Sequence, residues 1–158
     1  MSLASVTADL AARAPDLPPI ITDSPTSTVE SAAAVLGVEP DQIAKTLGVK
    51  IGSGSNARTV LIVVAGTRRL DNRLTKDTFG GRPRFLSGED VLALTSHPPG
   101  GVCPFGLATP LPVYCDESLR AFREVYPAAG AINASVRLSP ERLADLTGNQ
   151  WVNVTVPS

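Results

Sequence analysis

Apolar residues recur at two different spacings along the chain, and the alternation between them predicts a mixed α+β fold. Leu3, Val6 and Leu10 fall at helical spacing within an Ala-rich run, which predicts a helix from Ser2 to Ala14. Pro15, Pro18 and Pro19 end it, and Ile20-Ile21 reads as a short strand. The hydroxyls of Thr26, Ser27 and Thr28 are placed to cap a helix from Val29 to Leu36, stopped by Gly37. Ala44–Ile51 and Thr59–Ala65, joined by the turn-rich stretch 52–58, predict a β-hairpin. Its second strand is apolar at nearly every position and is expected to be buried on both faces. Asp71 to Phe79 reads as a helix ended by Gly80-Gly81, Arg84–Leu86 as a short strand, and Ser87 as the cap of a helix reaching Leu94, with Asp90 completing a capping box.

The second half is more broken. Strands are expected at Leu111–Cys115, Glu124–Tyr126, Asn133–Leu138 and Trp151–Val156, with a short helix at Glu117–Phe122. Ser139-Pro140-Glu141 opens a last helix that stops at Gly148. Hairpin-length links and irregular alternation favour a mixed sheet ringed by helices over a doubly wound one. No linker or internal repeat divides the chain, so residues 1–158 are expected to form one domain.

Composition narrows the class. Hydrophobic content of 43% and charged content of 18% fit a globular chain with a real core. No apolar run approaches the roughly 20 residues of a membrane span, and Met1–Arg13 lacks the pattern of a signal peptide. A cytoplasmic location without membrane association is the expectation. Net charge of −1 argues against a protein that grips a long stretch of nucleic acid, but leaves room for a pocket taking a nucleotide end.

Three places could carry chemistry. In an extended Ala44–Ile51, Lys45 shares a face with Leu47, Val49 and Ile51, while Lys50 falls on the polar face. A lysine on an apolar row either faces a pocket, where it would suit a phosphate or carboxylate, or snorkels to water from the strand end. Parity leaves both readings open. The second place is His97–Gly106, which holds three prolines and three glycines in ten residues. It reads as a stiffened loop that offers backbone groups. It also carries the single His and one of two Cys. A Cys–His hydrolase would need a third group to orient the histidine, and a zinc site would need another ligand pattern. No metal or other cofactor is expected. The third is the small-residue turn Ala129-Gly130-Ala131-Ile132-Asn133. Arg68, Arg69 and Arg73 form a basic cluster, read as a solvated helix face or a nucleic-acid contact.

Taken in order, Thr26–Ala33, Ile43-Ala44-Lys45-Thr46-Leu47, Val63–Gly66, Pro98–Gly106 and Ala129-Gly130 through Ser135–Pro140 resemble the YbaK/prolyl-tRNA-synthetase-associated editing family. The Lys-Thr-Leu strand followed by the Gly-Gly-Val-X-Pro-Phe-Gly loop is the most specific part. The resemblance implies a compact, partly barrel-like mixed sheet surrounded by helices. It also implies hydrolysis of the ester linking a wrong amino acid to tRNA, tRNA(Pro) carrying Ala, Cys or Ser above all. A non-catalytic module binding the tRNA end is the alternative. The implied partners are the acceptor end of aminoacyl-tRNA and prolyl-tRNA synthetase. The implied catalytic positions are Lys45, Gly100, Gly101 and Gly130. Thr26, Thr28, Thr46, Val102, Pro104, Phe105, Gly106, Ala129 and Asn133 are the implied substrate-binding positions. Many relatives carry Gly-Gly where this chain has Ala129-Gly130, and the extra methyl is expected to narrow or reshape the amino-acid pocket.

Overall fold

The computed structural model describes residues 2–158. Its elements run α1 (Ser2–Arg13), β1 (Ile20–Ile21), α2 (Val29–Leu36), β2 (Ile43–Ile51), β3 (Arg58–Ala65), β4 (Arg68–Leu70), α3 (Asn72–Phe79), β5 (Pro83–Phe85), α4 (Gly88–Thr95), β6 (Val113–Asp116), β7 (Tyr126–Pro127), β8 (Ala134–Ser135), α5 (Pro140–Thr147), β9 (Trp151–Val152) and β10 (Thr155–Pro157). The α+β class is as expected.

Four helix starts are fixed by the side chains the sequence offers. Thr28, Asp71, Ser87 and Ser139 each accept the third backbone N–H of the helix that follows. A reciprocal capping box forms at Thr28 and Ser31, whereas at Ser87 only the Asp90 N–H to Ser87 hydroxyl half of the expected box is made.

The main sheet runs β5-β2-β3-β6-β9, with β7 also on β2. β2 and β3 are a long antiparallel hairpin, and β6 continues parallel to β3. β3 is buried on both faces from Val60 to Ala65, as its apolar run predicts. Leu61 and Val63 enter a core beneath α1 and α5, with Phe105, Leu119 and Leu143; Val60, Ile62 and Val64 enter a second with Val49 and Ile51. Each such side chain contributes about 1.5–3 kcal/mol by leaving water. The sheet is open: β5 and β9 end it without meeting, and β1-β8 and β4-β10 form separate two-stranded sheets. Short, proline-punctuated strands cannot continue a ladder far enough to close a barrel.

Local expectations shift in five places. Asn133–Leu138 supplies only β8, with Leu138 making an isolated bridge to Val125. The strand expected at Glu124–Tyr126 moves to β7, and Glu117–Ala121 is a 3₁₀ helix. Trp151–Val156 is split into β9 and β10, because the buried Asp116 carboxylate accepts the Val154 N–H (2.8 Å) and the Thr155 hydroxyl (2.7 Å). The Arg68-Arg69 segment is a strand, not a helix face. It pairs with β10, and the Arg68 guanidinium bonds the Thr155 hydroxyl and carbonyl at 3.1 and 3.0 Å.

One feature of β2 positions everything that follows. Both β7 and β5 lie on the edge of β2 away from β3, β7 at Ile43–Ala44 and β5 at Val49–Ile51. Between them, Lys45, Thr46 and Leu47 have no strand partner on that edge among the described residues.

Candidate functional site

A cavity of about 170 Å³ opens at that gap. Its walls are Ile43–Thr46 of β2, Thr26–Val29 and Ala32 at the start of α2, Gly100 and Val102 of the Gly/Pro loop, and Tyr126, Ala128 and Ser135. Of the expected site residues, the structure thus brings together Lys45, Thr46, Thr26, Thr28, Gly100 and Val102.

Lys45 resolves its ambiguity in favour of the cavity. It stands opposite Val64 and is half-buried. Among the described residues no carboxylate lies within 4 Å of its ammonium. Loss of water pushes its pKa below the ordinary lysine value, while the more distant Asp41 and Glu30 oppose that shift. Asp41 is itself held by the Thr67 N–H and hydroxyl at 2.8 and 2.5 Å. The result is a cation without a direct counter-ion. Beside it, the Thr46 hydroxyl is the one buried side-chain polar atom among the described residues with no hydrogen-bond partner. A buried hydroxyl left unpaired costs about 1–3 kcal/mol, and this one belongs to a residue that lines the same cavity as Lys45. The first turn of α2 borders the same space and adds partial positive charge.

The glycines divide the work. Gly100 lines the cavity at φ +84°, and a Cβ there would meet the Ser27 Cβ at 2.6 Å. Gly101 and Gly130 stand behind the wall. The Gly130 N–H donates to the Gly101 carbonyl and the Gly101 N–H to Pro98, both at 2.9 Å. A Cβ on Gly101 would come within 2.7 Å of the Ala131 nitrogen. Both N–H groups are therefore spent: that of Gly101 closes a turn within the Gly/Pro loop, and that of Gly130 joins the loop to the 130 turn.

The other expected binding residues lie elsewhere. Pro104 and Phe105 are buried, Phe105 in the core. The Gly106 N–H donates to Asp9 of α1 at 2.9 Å, and Asn133 bonds the Thr22 carbonyl. Ala129 is fully buried and packs into the core, so its methyl does not narrow the cavity; Ala128 lines it instead. Tyr126, Ala128 and Ser135 were not singled out from sequence. Tyr126 arrives through parallel pairing with Ile43, and Ala128 bridges Ser135. Long-range contacts of this kind leave no local pattern.

His97 and Cys103 form a structural pin. His97 has no exposed surface. Its Nε2 lies 2.7 Å from the Phe105 carbonyl, which requires Nε2–H, so Nδ1 accepts from the Ser2 hydroxyl. Burial pushes the Cys103 thiol up to about 12, far from a thiolate nucleophile. Among the described residues no group of three or more His, Cys, Asp or Glu side chains could hold a metal.

The sequence model of the aminoacyl-tRNA editing domain matches residues 23–146, a span that contains the whole cavity. The chain belongs to this family. A relative from Bacillus subtilis named "Uncharacterized protein YwhH" is 41% identical over 133 residues, covering 84% of this chain and 83% of that one. A protein of Enterococcus faecalis named "Putative Cys-tRNA(Pro)/Cys-tRNA(Cys) deacylase EbsC" is 30% identical over 129 residues, 81% of this chain and 77% of its own. The crystal structure described as "a putative trans-editing enzyme for prolyl tRNA synthetase" superposes with a TM-score of 0.87 at 35% identity, covering 98% of this chain and 97% of that one. The open mixed sheet is therefore the editing-domain fold.

Proposed function

We propose that the protein is a trans-editing deacylase that hydrolyses the ester of mischarged tRNA, with tRNA(Pro) carrying Ala, Cys or Ser as its substrate. The observation that carries this reading is an uncompensated Lys45 in a cavity that is also lined by Thr46, whose buried hydroxyl has no partner. The cavity's size supports a small amino acid: about 170 Å³ is close to a space that encloses one benzene ring. The aminoacyl group enters, and the terminal adenosine stays at the mouth.

Lys45 is then the anchor for the phosphate of the terminal nucleotide. The Thr46 hydroxyl donates to the aminoacyl carbonyl, and Gly100, lacking a Cβ, lets the loop backbone close on the ligand. Water adds to the ester carbon, and the ribose oxygen leaves with a proton. The neighbouring ribose hydroxyl assists the attacking water, since no cavity side chain is an evident general base. An aminoacyl ester is already activated, so orientation and modest stabilisation of the developing oxyanion suffice. Discrimination by one methylene is worth only about 1–3 kcal/mol, which explains the use of a second, hydrolytic sieve. Under this reading Gly101 and Gly130 hold the loop in place, and the protein works in the cytoplasm, alongside prolyl-tRNA synthetase. No helix of the described residues is long and apolar enough to cross a membrane.

The test is a panel of charged tRNAs, including tRNA(Pro) bearing Ala, Cys or Ser, followed for release of the amino acid. Release from at least one of these three supports the reading. Tight binding without release from any of them would instead indicate a non-catalytic module.

A further inference from the structure

Seven polar or charged residues are buried among the described residues. The side chains of Thr26, Thr75, Thr95, His97, Asp116 and Thr155 each bond another protein group. Ser135 is the seventh. It is 3% exposed, and its hydroxyl bonds no group among the described residues. It is not a completely enclosed atom, since Thr46 supplies the one such side-chain polar atom without a partner. What surface the hydroxyl keeps opens on the Lys45 cavity, whose wall Ser135 forms.

The strand explains this orientation. Ala134 and Val136 both enter the core beneath α1. Side chains alternate along an extended chain, so Ser135, between them, faces the other way. Its backbone is fixed from both sides, by Ile20 of β1 and by the bridge to Ala128. Pro127, just before Ala128, pairs with Ala44, the neighbour of Lys45. Lys45, Ala128 and Ser135 therefore succeed one another across the strands. At about 4.8 Å per strand, Ser135 lies roughly 10 Å from the Lys45 backbone. A phosphate held at Lys45 leaves the Ser135 side of the cavity to the aminoacyl group. Near Ser135 the lining offers little else that is polar: Ala128 is a methyl, Ala32 and Ile43 are apolar, and the Thr28 hydroxyl is spent on Ser31.

We infer that Ser135 reads the side chain of the aminoacyl group and makes seryl-tRNA the preferred substrate, with alanyl-tRNA disfavoured. The inference rests on the deacylase reading above and narrows its three amino acids to one. A seryl hydroxyl both donates and accepts, as Ser135 does, whereas a cysteinyl thiol is a weak partner and an alanyl methyl is none. A site built around a substrate hydroxyl rejects the analogue lacking it, because the protein group is then left unpaired. Size alone would favour alanine, the smallest of the three.

The test compares kcat/KM on Ser-, Cys- and Ala-tRNA(Pro) for wild type, Ser135→Ala and the volume-conserving Ser135→Cys, each checked by a thermal melt. Wild type should prefer serine over alanine at least tenfold, with cysteine between them. The Ser/Ala ratio should fall at least tenfold in Ser135→Ala and also drop in Ser135→Cys, which decides the matter if Ser135→Ala does not fold. A serine that only fills space would lower both rates together and leave the ratio unchanged. An unchanged ratio, or a wild type that prefers alanine, would overturn the inference. If wild type hydrolyses none of the three, the deacylase reading fails. Ser135 is then decided by calorimetric titration with the non-hydrolysable amide analogues of seryl- and alanyl-adenosine. Tighter binding of the seryl analogue, lost in Ser135→Ala, supports its role, and equal affinities overturn it.

Discussion

Removing the His97 ring should destabilise the protein while leaving the chemistry of the folded fraction intact. His97 is fully buried between α1 and the Gly/Pro loop, donating from Nε2 to the Phe105 carbonyl and accepting at Nδ1 from Ser2. His97→Ala loses ring packing and leaves the Phe105 carbonyl without its histidine donor. Truncating a buried aromatic costs about 3–5 kcal/mol, and a stranded carbonyl about 1–3 kcal/mol. Since the two overlap, about 4 kcal/mol is expected, a large share of the 5–15 kcal/mol typical of a domain. His97→Phe refills the space and isolates the polar loss, at about 1–3 kcal/mol. Guanidinium denaturation midpoints at constant slope measure both. The pH dependence adds a signature. Burial holds the folded-state pKa of His97 below the ordinary 6.5, so the folded protein binds fewer protons than the unfolded one. Its contribution is fully present above pH 6.5 and is lost as pH falls through the folded pKa. His97→Phe should remove that part of the acid limb. A loss under 0.5 kcal/mol for His97→Ala would refute the pin, as would a well-folded His97→Phe protein with no deacylation.

Three further outcomes follow from the same geometry. Gly100→Ala places a Cβ 2.6 Å from Ser27 at φ +84°; the backbone alone costs about 1–2 kcal/mol, and displacement of Ser27 at the cavity wall should lower kcat/KM more than tenfold, read by steady-state deacylation beside a thermal melt. Cys103→Ala should keep wild-type activity from pH 6 to 9, because its thiol, pushed up to about 12, is not ionised there; an inactive but folded variant would restore the thiol as nucleophile. Asp116→Ala strands the Val154, Thr155 and Ser118 donors and should cost several kcal/mol, with fraying of β9 and β10 visible in amide hydrogen exchange.

The legible parts of this chain are those where local chemistry decides structure. Helix caps at Thr28, Asp71, Ser87 and Ser139, glycine stops at Gly37, Gly80 and Gly148, and the doubly apolar β3 all act within a few residues of themselves. Strand parity places Lys45 on the apolar row; the gap between β5 and β7, which lets it face a cavity, depends on a segment as distant as Tyr126–Pro127. The Gly/Pro loop reads as one continuous platform, yet only part of it meets the cavity. Its far end, Phe105-Gly106, turns inward because α1 supplies Asp9 and Ser5 as partners for Gly106. Ala129 and Ala128 differ by one position and so face opposite sides, which a motif comparison does not register. The break of the last strand is set by one buried carboxylate, Asp116, 38 residues earlier.

The most direct measurement is the initial rate of amino-acid release from Ala-, Cys- and Ser-tRNA(Pro) by wild type and Lys45→Ala, each checked by circular dichroism and a thermal melt. Lys45 is a half-buried cation without a direct counter-ion, so its removal should leave the melting temperature unchanged or raised. Wild type should release at least one of the three amino acids, and Lys45→Ala should fall to the uncatalysed rate with its fold intact. A fully active Lys45→Ala protein, or a wild type that releases none of the three, would contradict the account.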